Sequence, residues 1–337
     1  MFSLGYNGKR LNERIILSHN LQDHHFMKTL KTAVIGVGYL GKFHAQKYNA
    51  LKNSQLIAVC DNDAENAKLI AEDLECEYTT DYKSLLGKVD AVSIVVPTLL
   101  HFEVAKDFLE NGTDVLVEKP ITSTLEQAQE LVAIAKANGR KLQVGHLERF
   151  NPAMLALNET LTTPLFIESH RVAPYNPRGA DVSVILDLMI HDIDIILDIV
   201  NSDVKCISAN GVKALSNDID IASARLEFEN SCVANVTASR ASLKSERKMR
   251  IFQDETYINL DFQNKSLTSY TKSKDKEMFP GVADIETNIQ TFEQGDALFA
   301  EIESFLNVIQ NDSVPVVSGE DGLRALETAN KITALLS

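Results

Sequence analysis

The period of the apolar positions changes twice along this chain. Within residues 31–48 (KTAVIGVGYLGKFHAQKY), Ala33, Val34, Ile35 and Val37 read as a β-strand interrupted by Gly36, Gly38 and Gly41. Leu40, Phe43, His44 and Lys47 then recur at helical spacing. The pattern predicts strand, tight turn, helix. Gly36 allows the turn, Gly38 lets a pyrophosphate approach the backbone, and Gly41 lets the helix lie close to the strand. Phosphates would meet the positive end of the helix, beside Tyr39 and Leu40. A GxGxxG run in this context predicts a dinucleotide site. The alternative is a glycine-rich turn in an ordinary βα unit.

The alternation of strand and helix continues. Residues 54–61 (SQLIAVCD) form a second strand ending in Asp61, which lies 20 residues beyond Gly41. A carboxylate there accepts hydrogen bonds from ribose hydroxyls and repels a 2′-phosphate, which favours NAD over NADP. Asp61 could instead cap the following helix. A short helix is expected near residues 83–86. The continuous apolar run 91–96 suits a central parallel strand. Pro97 stops it, and Thr98 is expected to cap a helix that begins near Leu100, with His101 in its first turn. His101 is expected near the cofactor crevice, in contact with ligand or in a structural role. Residues 113–117 are the next strand, ending in Glu118-Lys119-Pro120. Ligands bind outside the carboxyl ends of such strands, so Lys119 is expected to face the nicotinamide. Thr124 caps a helix over 125–137, and residues 141–144 complete the sheet. A boundary near Gly145 divides a dinucleotide-binding unit, 30–145, from a second unit, 146–337, whose last helix is expected to pack back on the first.

The second unit opens with HLERFNPAM, residues 146–154, where charge, aromatic groups and proline meet at the junction. Arg149 and Asn151 are candidates for substrate contact, or for salt-bridging and helix capping. A strand over 165–171 leads to the loop RVAPYNPRG, whose Arg171, Tyr175 and Arg178 are candidates for an anionic or sugar group. The helix through DLMIHDIDIILDIV is mostly apolar, yet Asp187 and His191 stand four apart on one face, with Asp194 and Asp198 extending the row. A histidine titrating near neutrality suits proton transfer, and Asp187 could hold it in place. A purely structural Asp–His pair is the alternative. From residue 204 the period becomes two. Strands are expected over 204–211, 219–228, 232–239, 248–252, 256–262 and 266–270, forming an open, one-sided antiparallel sheet. Residues 273–288 are expected to be a loop. Helices follow over 297–309 and from 319 to near 336.

Composition narrows the picture. The 337 residues suffice for two domains, and a formal net charge of −14 argues against a general nucleic-acid surface. No apolar run has transmembrane length. Cys60, Cys76, Cys206 and Cys232 show no metal or disulfide spacing, which points to a reduced, cytoplasmic setting. No cluster suggests a metal ligand set. Residues 1–29 read as a flexible or expression-derived leader, with Met27 a candidate start.

These motifs, in this order, resemble the glucose-fructose oxidoreductase / inositol dehydrogenase (Gfo/Idh/MocA) family. The resemblance rests on AVIGVGYLGKFHA (33–45), VPTLLHFEVAKDFLENGTDVLVEKPI (96–121), DLMIHDIDI (187–195) and GEDGLRALETA (319–329), and covers residues 30–337. It implies an α/β protein with an N-terminal Rossmann doubly wound parallel sheet. A C-terminal α/β domain with a large open, mostly antiparallel sheet would follow, through which members form homodimers or homotetramers. Lys119 then matches the family's active-site lysine, His191 its general acid/base, and Asp187 the aspartate one turn earlier. Pro120 is often preceded by a cis bond. Gly36, Gly38, Tyr39, Leu40, Gly41, Asp61, Pro97, Thr98, His101 and Glu118 would surround NAD. The stretch 181–186 lacks the glycine cluster common in members, which would reshape the pocket. HLERFNPA is similar to a subgroup acting on UDP-linked amino sugars, including UDP-N-acetylglucosamine 3-dehydrogenases, and implies hydride transfer at a sugar hydroxyl carbon. Free inositol or hexose, an aromatic substrate of the biliverdin or dihydrodiol type, and a non-catalytic NAD-binding role are the alternatives.

Overall fold

The protein is described here from a computed structural model covering residues 28–175, 183–292 and 295–336. Six parallel strands form the first sheet: β1 (Leu30–Ile35), β2 (Ser54–Cys60), β3 (Glu77–Thr79), β4 (Ala91–Ile94), β5 (Asp114–Glu118) and β6 (Leu142–Gly145). Their order is β3-β2-β1-β4-β5-β6, so the direction of winding reverses beside β1. Ligands bind at such a reversal, past the carboxyl ends of the strands. Helices α1 (Tyr39–Ala50), α2 (Ala64–Leu74), α3 (His101–Glu110) and α4 (Leu125–Ala137) make the crossovers. Asp63 caps α2 by accepting from the Glu65 and Asn66 amides, and Thr124 caps α4 through the Gln127 amide. Thr98 does not cap as expected. It opens a single 3-10 turn, Thr98–Leu100, and α3 starts at His101 without a side-chain cap.

The second sheet has eight strands in the order β14-β13-β12-β11-β7-β10-β9-β8. They are β7 (Phe166–Val172), β8 (Val204–Val212), β9 (Ile221–Phe228), β10 (Val233–Ser239), β11 (Glu246–Gln253), β12 (Thr256–Asp261), β13 (Ser266–Phe279) and β14 (Val282–Thr291). Only β7 and β10 pair in parallel; the other neighbours are antiparallel. Burial alternates strictly along most of β9, so one face packs and the other is open. The packed face carries Ala222, Ala224, Leu226, Val236, Ile251, Ile258 and Leu260 against α5 (Pro152–Leu157) and α6 (Ile190–Val200).

Residues 273–288 are not a loop. They belong to the long β13–β14 hairpin, which turns at Gly281 with φ +78°. Its outer half faces solvent on both sides, so no apolar alternation marks it; main-chain pairing holds it together.

Two late helices return to the first sheet. From α7 (Ala297–Gln310), Leu298, Ile302, Phe305 and Leu306 join Val34, Tyr48 and Val59 in one core. On the opposite face, Val317 and Leu326 join the core of β4, β5 and α3, the latter from α8 (Gly319–Ala334). Gly322 allows this approach, since a Cβ there would lie 2.6 Å from Val144 Cγ2. Among the described residues, no helix is long and apolar enough to cross a membrane. Phe305 is fully buried, so Phe305→Ala should cost about 3–5 kcal/mol. Urea unfolding that loosens the first sheet, though the change lies far along the chain, is the expected result.

Candidate active site

The glycine turn explains itself sterically. Gly36 has φ +86°, and a Cβ there would sit 2.6 Å from the Val95 carbonyl oxygen. A Cβ on Gly41 would lie 1.8 Å from Gly36 O, so helix and strand approach only because both are glycine. Gly38 differs: nothing lies within 4 Å of its Cβ position, and as N-cap of α1 it leaves the first-turn amides without a side-chain partner. That open, donor-rich surface fits a pyrophosphate. Asp61 comes to the same turn, where its Oδ2 accepts from the Val37 amide at 2.8 Å and its Oδ1 from the Asp63 amide at 3.0 Å. Helix capping falls to Asp63, leaving the remaining lone pairs of Asp61 for ribose hydroxyls. Tyr39 and Leu40 are exposed at the start of α1, and Pro97 is exposed and Thr98 partly buried just after β4.

Of the two roles open to His101, the structure shows the structural one. Its ring is buried, with Nδ1 2.9 Å from Pro120 O and Nε2 2.9 Å from Val96 O. It braces the ends of β4 and β5 and turns no edge to the crevice. Glu118 is also held internally. Its Oε1 lies 3.1 Å from His44 Nε2, and its Oε2 accepts from the Lys119 amide. Burial works to raise Glu118, but His44 and Lys119 outweigh it and hold the carboxyl below its ordinary value. The nearby Glu301 has no such partner, and burial together with the Glu118 charge pushes it far up, so it keeps its proton.

Lys119 precedes Pro120 through a cis peptide bond. Its Nζ donates to the Asp187 carbonyl at 2.8 Å and lies 3.4 Å from Asp187 Oδ1. Asp187 sits in a widened π-helical turn, Ile185–Met189, a device common at functional sites. Asp187 therefore meets Lys119, and no bond joins it to His191. His191 follows on the first turn of α6, half-buried, with its Nδ1 enclosed and unpartnered. Desolvation, then the charges of Lys119, Arg171 and Arg247, hold it well below 6.5. The ring is neutral at physiological pH and ready to accept a proton.

The cations expected to touch substrate lie elsewhere. Arg149 is buried and paired with Asp194, at 2.6 Å, and with Asp198. Arg171 is buried against Asp192 at 3.0 Å and Glu148 at 2.8 Å. Asn151 is buried as well, capping α5 through the Ala153 amide and donating to Phe262 O. All three serve packing, because a buried guanidinium must take its counter-ions from within the protein. Tyr175 is exposed; Arg178 lies outside the described residues, as do Asp181 and Val182 of the 181–186 departure and residues 1–27. Reading the sequence missed two groups. One is Arg247, near the start of β11, half-exposed and close enough to His191 for its charge to act there. The other is His146, buried with both ring nitrogens unpartnered beside His191.

Comparison with known proteins fits this geometry. Residues 30–146 match the model of an oxidoreductase family with an NAD-binding Rossmann fold, and residues 165–259 match the GFO/IDH/MocA C-terminal domain. The chain is 39% identical over 304 residues to UDP-N-acetylglucosamine 3-dehydrogenase of Acidithiobacillus ferrooxidans, covering 90% of this chain and 96% of that one. The chain belongs to the Gfo/Idh/MocA family. A solved structure of that dehydrogenase superposes with a TM-score of 0.85 at 38% identity, covering 91% and 97% of the two chains. The scyllo-inositol 2-dehydrogenase (NAD(+)) of Bacillus subtilis is 25% identical over 88% of this chain and 91% of its own. As a member of this family the chain carries the NAD-binding Rossmann fold of an oxidoreductase.

Two predictions follow from the buried charges. Arg171→Met leaves Asp192 without its cation and Glu148 with only the longer Arg247 contact, and should cost about 3–5 kcal/mol in urea unfolding. His146 and His191 are both depressed below 6.5, so the unfolded chain binds more protons below that pH. Their contribution is intact above 6.5 and is lost as pH falls through the lower folded values. Tm should decline over that window, with a shallower slope in His191→Asn.

Proposed function

We propose that the chain oxidises C3 of a UDP-linked amino sugar, UDP-N-acetylglucosamine in the first instance, with NAD as acceptor. The observation that carries the reading is the Lys119 ammonium, just after β5, donating to the Asp187 carbonyl in the π-helical turn that leads directly into the His191 turn of α6. The 39% identical relative supports the substrate class. When bound, NAD supplies the two-electron acceptor, taking a hydride from the alcohol carbon while the protein takes the proton.

The residues of this chain do the rest. His191 accepts the hydroxyl proton at Nε2, its Nδ1 being enclosed. Lys119 donates to the same oxygen and stabilises its growing negative charge. The Asp187 carbonyl fixes where the Lys119 ammonium stands. Gly38 and the first-turn amides of α1 hold the pyrophosphate, and Asp61 the adenosine ribose. With Arg149 and Arg171 engaged internally, Arg247 is the cation we assign to the UDP diphosphate; its guanidinium keeps only a 3.4 Å contact with Glu148.

The open sheet face supports a homodimer or homotetramer. Phe252, Tyr257 and Tyr270 stack across it, with centroid separations of 4.9 and 5.2 Å, and Ile285, Ile289, Val282 and Phe279 are exposed along the adjoining hairpin. A cytoplasmic location is proposed with it, consistent with four unpaired cysteines.

Lys119→Ala and His191→Ala should each lower kcat about 10²–10⁴-fold while the Kd for NAD changes little. NADH formation from a panel of UDP-sugars, free hexoses and inositols reads the substrate. Turnover of free polyols alone would end the UDP-sugar reading, and near-normal turnover by either variant would end the assigned roles.

A further inference from the structure

His146 follows β6 directly and precedes the 3-10 turn Leu147–Phe150. It is almost wholly enclosed, at 1% exposure, yet neither Nδ1 nor Nε2 has a partner among the described residues. A buried imidazole with both nitrogens unsatisfied is costly, by about 1–3 kcal/mol per group, and calls for a reason. Its ring stands edge-on to His191, with centroids 6.3 Å apart and planes at 85°. The enclosed Nδ1 of His191 is the other unpartnered nitrogen of the pair. At that spacing, ring nitrogens can approach to about 5 Å, the span of one oxygen hydrogen-bonded to both.

We propose that His146 is a positioning residue for His191, accepting through one bridging oxygen the hydrogen bond that begins at His191 Nδ1–H. This rests on the reading of His191 as the proton acceptor. A neutral imidazole carries one proton. With that proton held at Nδ1, the lone pair of His191 lies at Nε2 and faces the substrate hydroxyl. When the hydroxyl proton arrives at Nε2, the ring becomes imidazolium and its Nδ1–H becomes a stronger donor toward the same bridge. The hydride leaves the alcohol carbon for NAD in the same reaction, and within the histidine pair no other proton changes owner.

The charges around the pair fit this division. Asp194 and Glu118 favour the charged form of His146, whereas Arg149 and Lys119 oppose it. Burial first, then Lys119, Arg171, His146 itself and Arg247, all bear on His191 in the direction of the neutral ring. Both rings therefore rest neutral, and His146 has a lone pair to offer.

The test is ¹⁵N NMR of the full-length protein labelled in histidine, with His191→Asn used to assign the His191 signals. In the wild type, Nδ1 of His191 should show a pyrrole-type shift and Nε2 a pyridine-type shift at neutral pH. In His146→Asn and His146→Phe the two shifts should move toward each other as the tautomers mix. The same variants should lower kcat about ten- to a hundredfold, with the Kd for NAD unchanged and the acid limb of the pH–kcat profile displaced. An Nε2–H tautomer in the wild type, or unaltered His191 shifts in a folded variant, overturns the proposal. If neither variant folds, the wild-type tautomer alone decides. Absent turnover of every UDP-sugar would sink the substrate reading while leaving this measurement intact.

Discussion

An ammonium seated on a main-chain carbonyl joins the two halves of this protein at the proposed active site. Lys119 Nζ reaches 2.8 Å across to Asp187 O, from the last turn of the parallel sheet to a π-helical turn built on the other sheet. Everything on the first side serves to present that amine. The order of the strands reverses beside β1, the glycine turn lies at the same edge, and His101 ties the loops after β4 and β5 together. On the second side, the same reach sets the neighbouring imidazole, whose proton affinity is lowered by burial and by the ammonium itself. One charge thus helps to keep the adjacent imidazole unprotonated and, in the mechanism proposed above, would also meet the substrate oxygen.

The helix that carries His191 is fixed by ion pairs rather than by apolar contact alone. Asp192, Asp194 and Asp198 of α6 meet Arg171 or Arg149, which are contributed by β7 and the turn after β6. Pairs this deeply buried add little to net stability compared with a well-packed apolar alternative. What they supply is an angular setting: rotation of α6 would leave several charges unpaired in a low dielectric. Glu118 and Glu301 form another buried set, in which one acid is ionised by His44 and Lys119 and the other stays protonated.

How much of this was legible depended on whether the neighbours in sequence were also the neighbours in space. The glycine turn could be read because its constraint is local: strand, turn and helix are consecutive, and Gly36 and Gly41 answer to each other. Lys119 and His191 stood out as polar groups ending or interrupting apolar runs. The row Asp187, His191, Asp194, Asp198 was also visible, but not its division. Asp187 belongs to Lys119, while Asp194 and Asp198 belong to Arg149, and those partners lie far away along the chain. Arg149 and Arg171 looked available to substrate for the same reason. The β13–β14 hairpin was illegible because solvent on both sides removes the alternation by which a strand is recognised. His146 carried no signal, since an isolated histidine in a junction does not reveal whether its nitrogens are satisfied.

The return of α7 and α8 to the first sheet has a consequence for biosynthesis. Both faces of that sheet are completed by side chains from beyond residue 296, among them Ile302, Phe305 and Leu326. The nucleotide-binding half therefore leaves the ribosome with apolar surface that nothing earlier in the chain can cover. Translation delivers residues at about 5–20 per second, so this half waits while the entire second sheet is made. Nascent chains of this topology must be shielded from one another for that interval, and the last two helices act as the closing step of assembly for the part synthesised first.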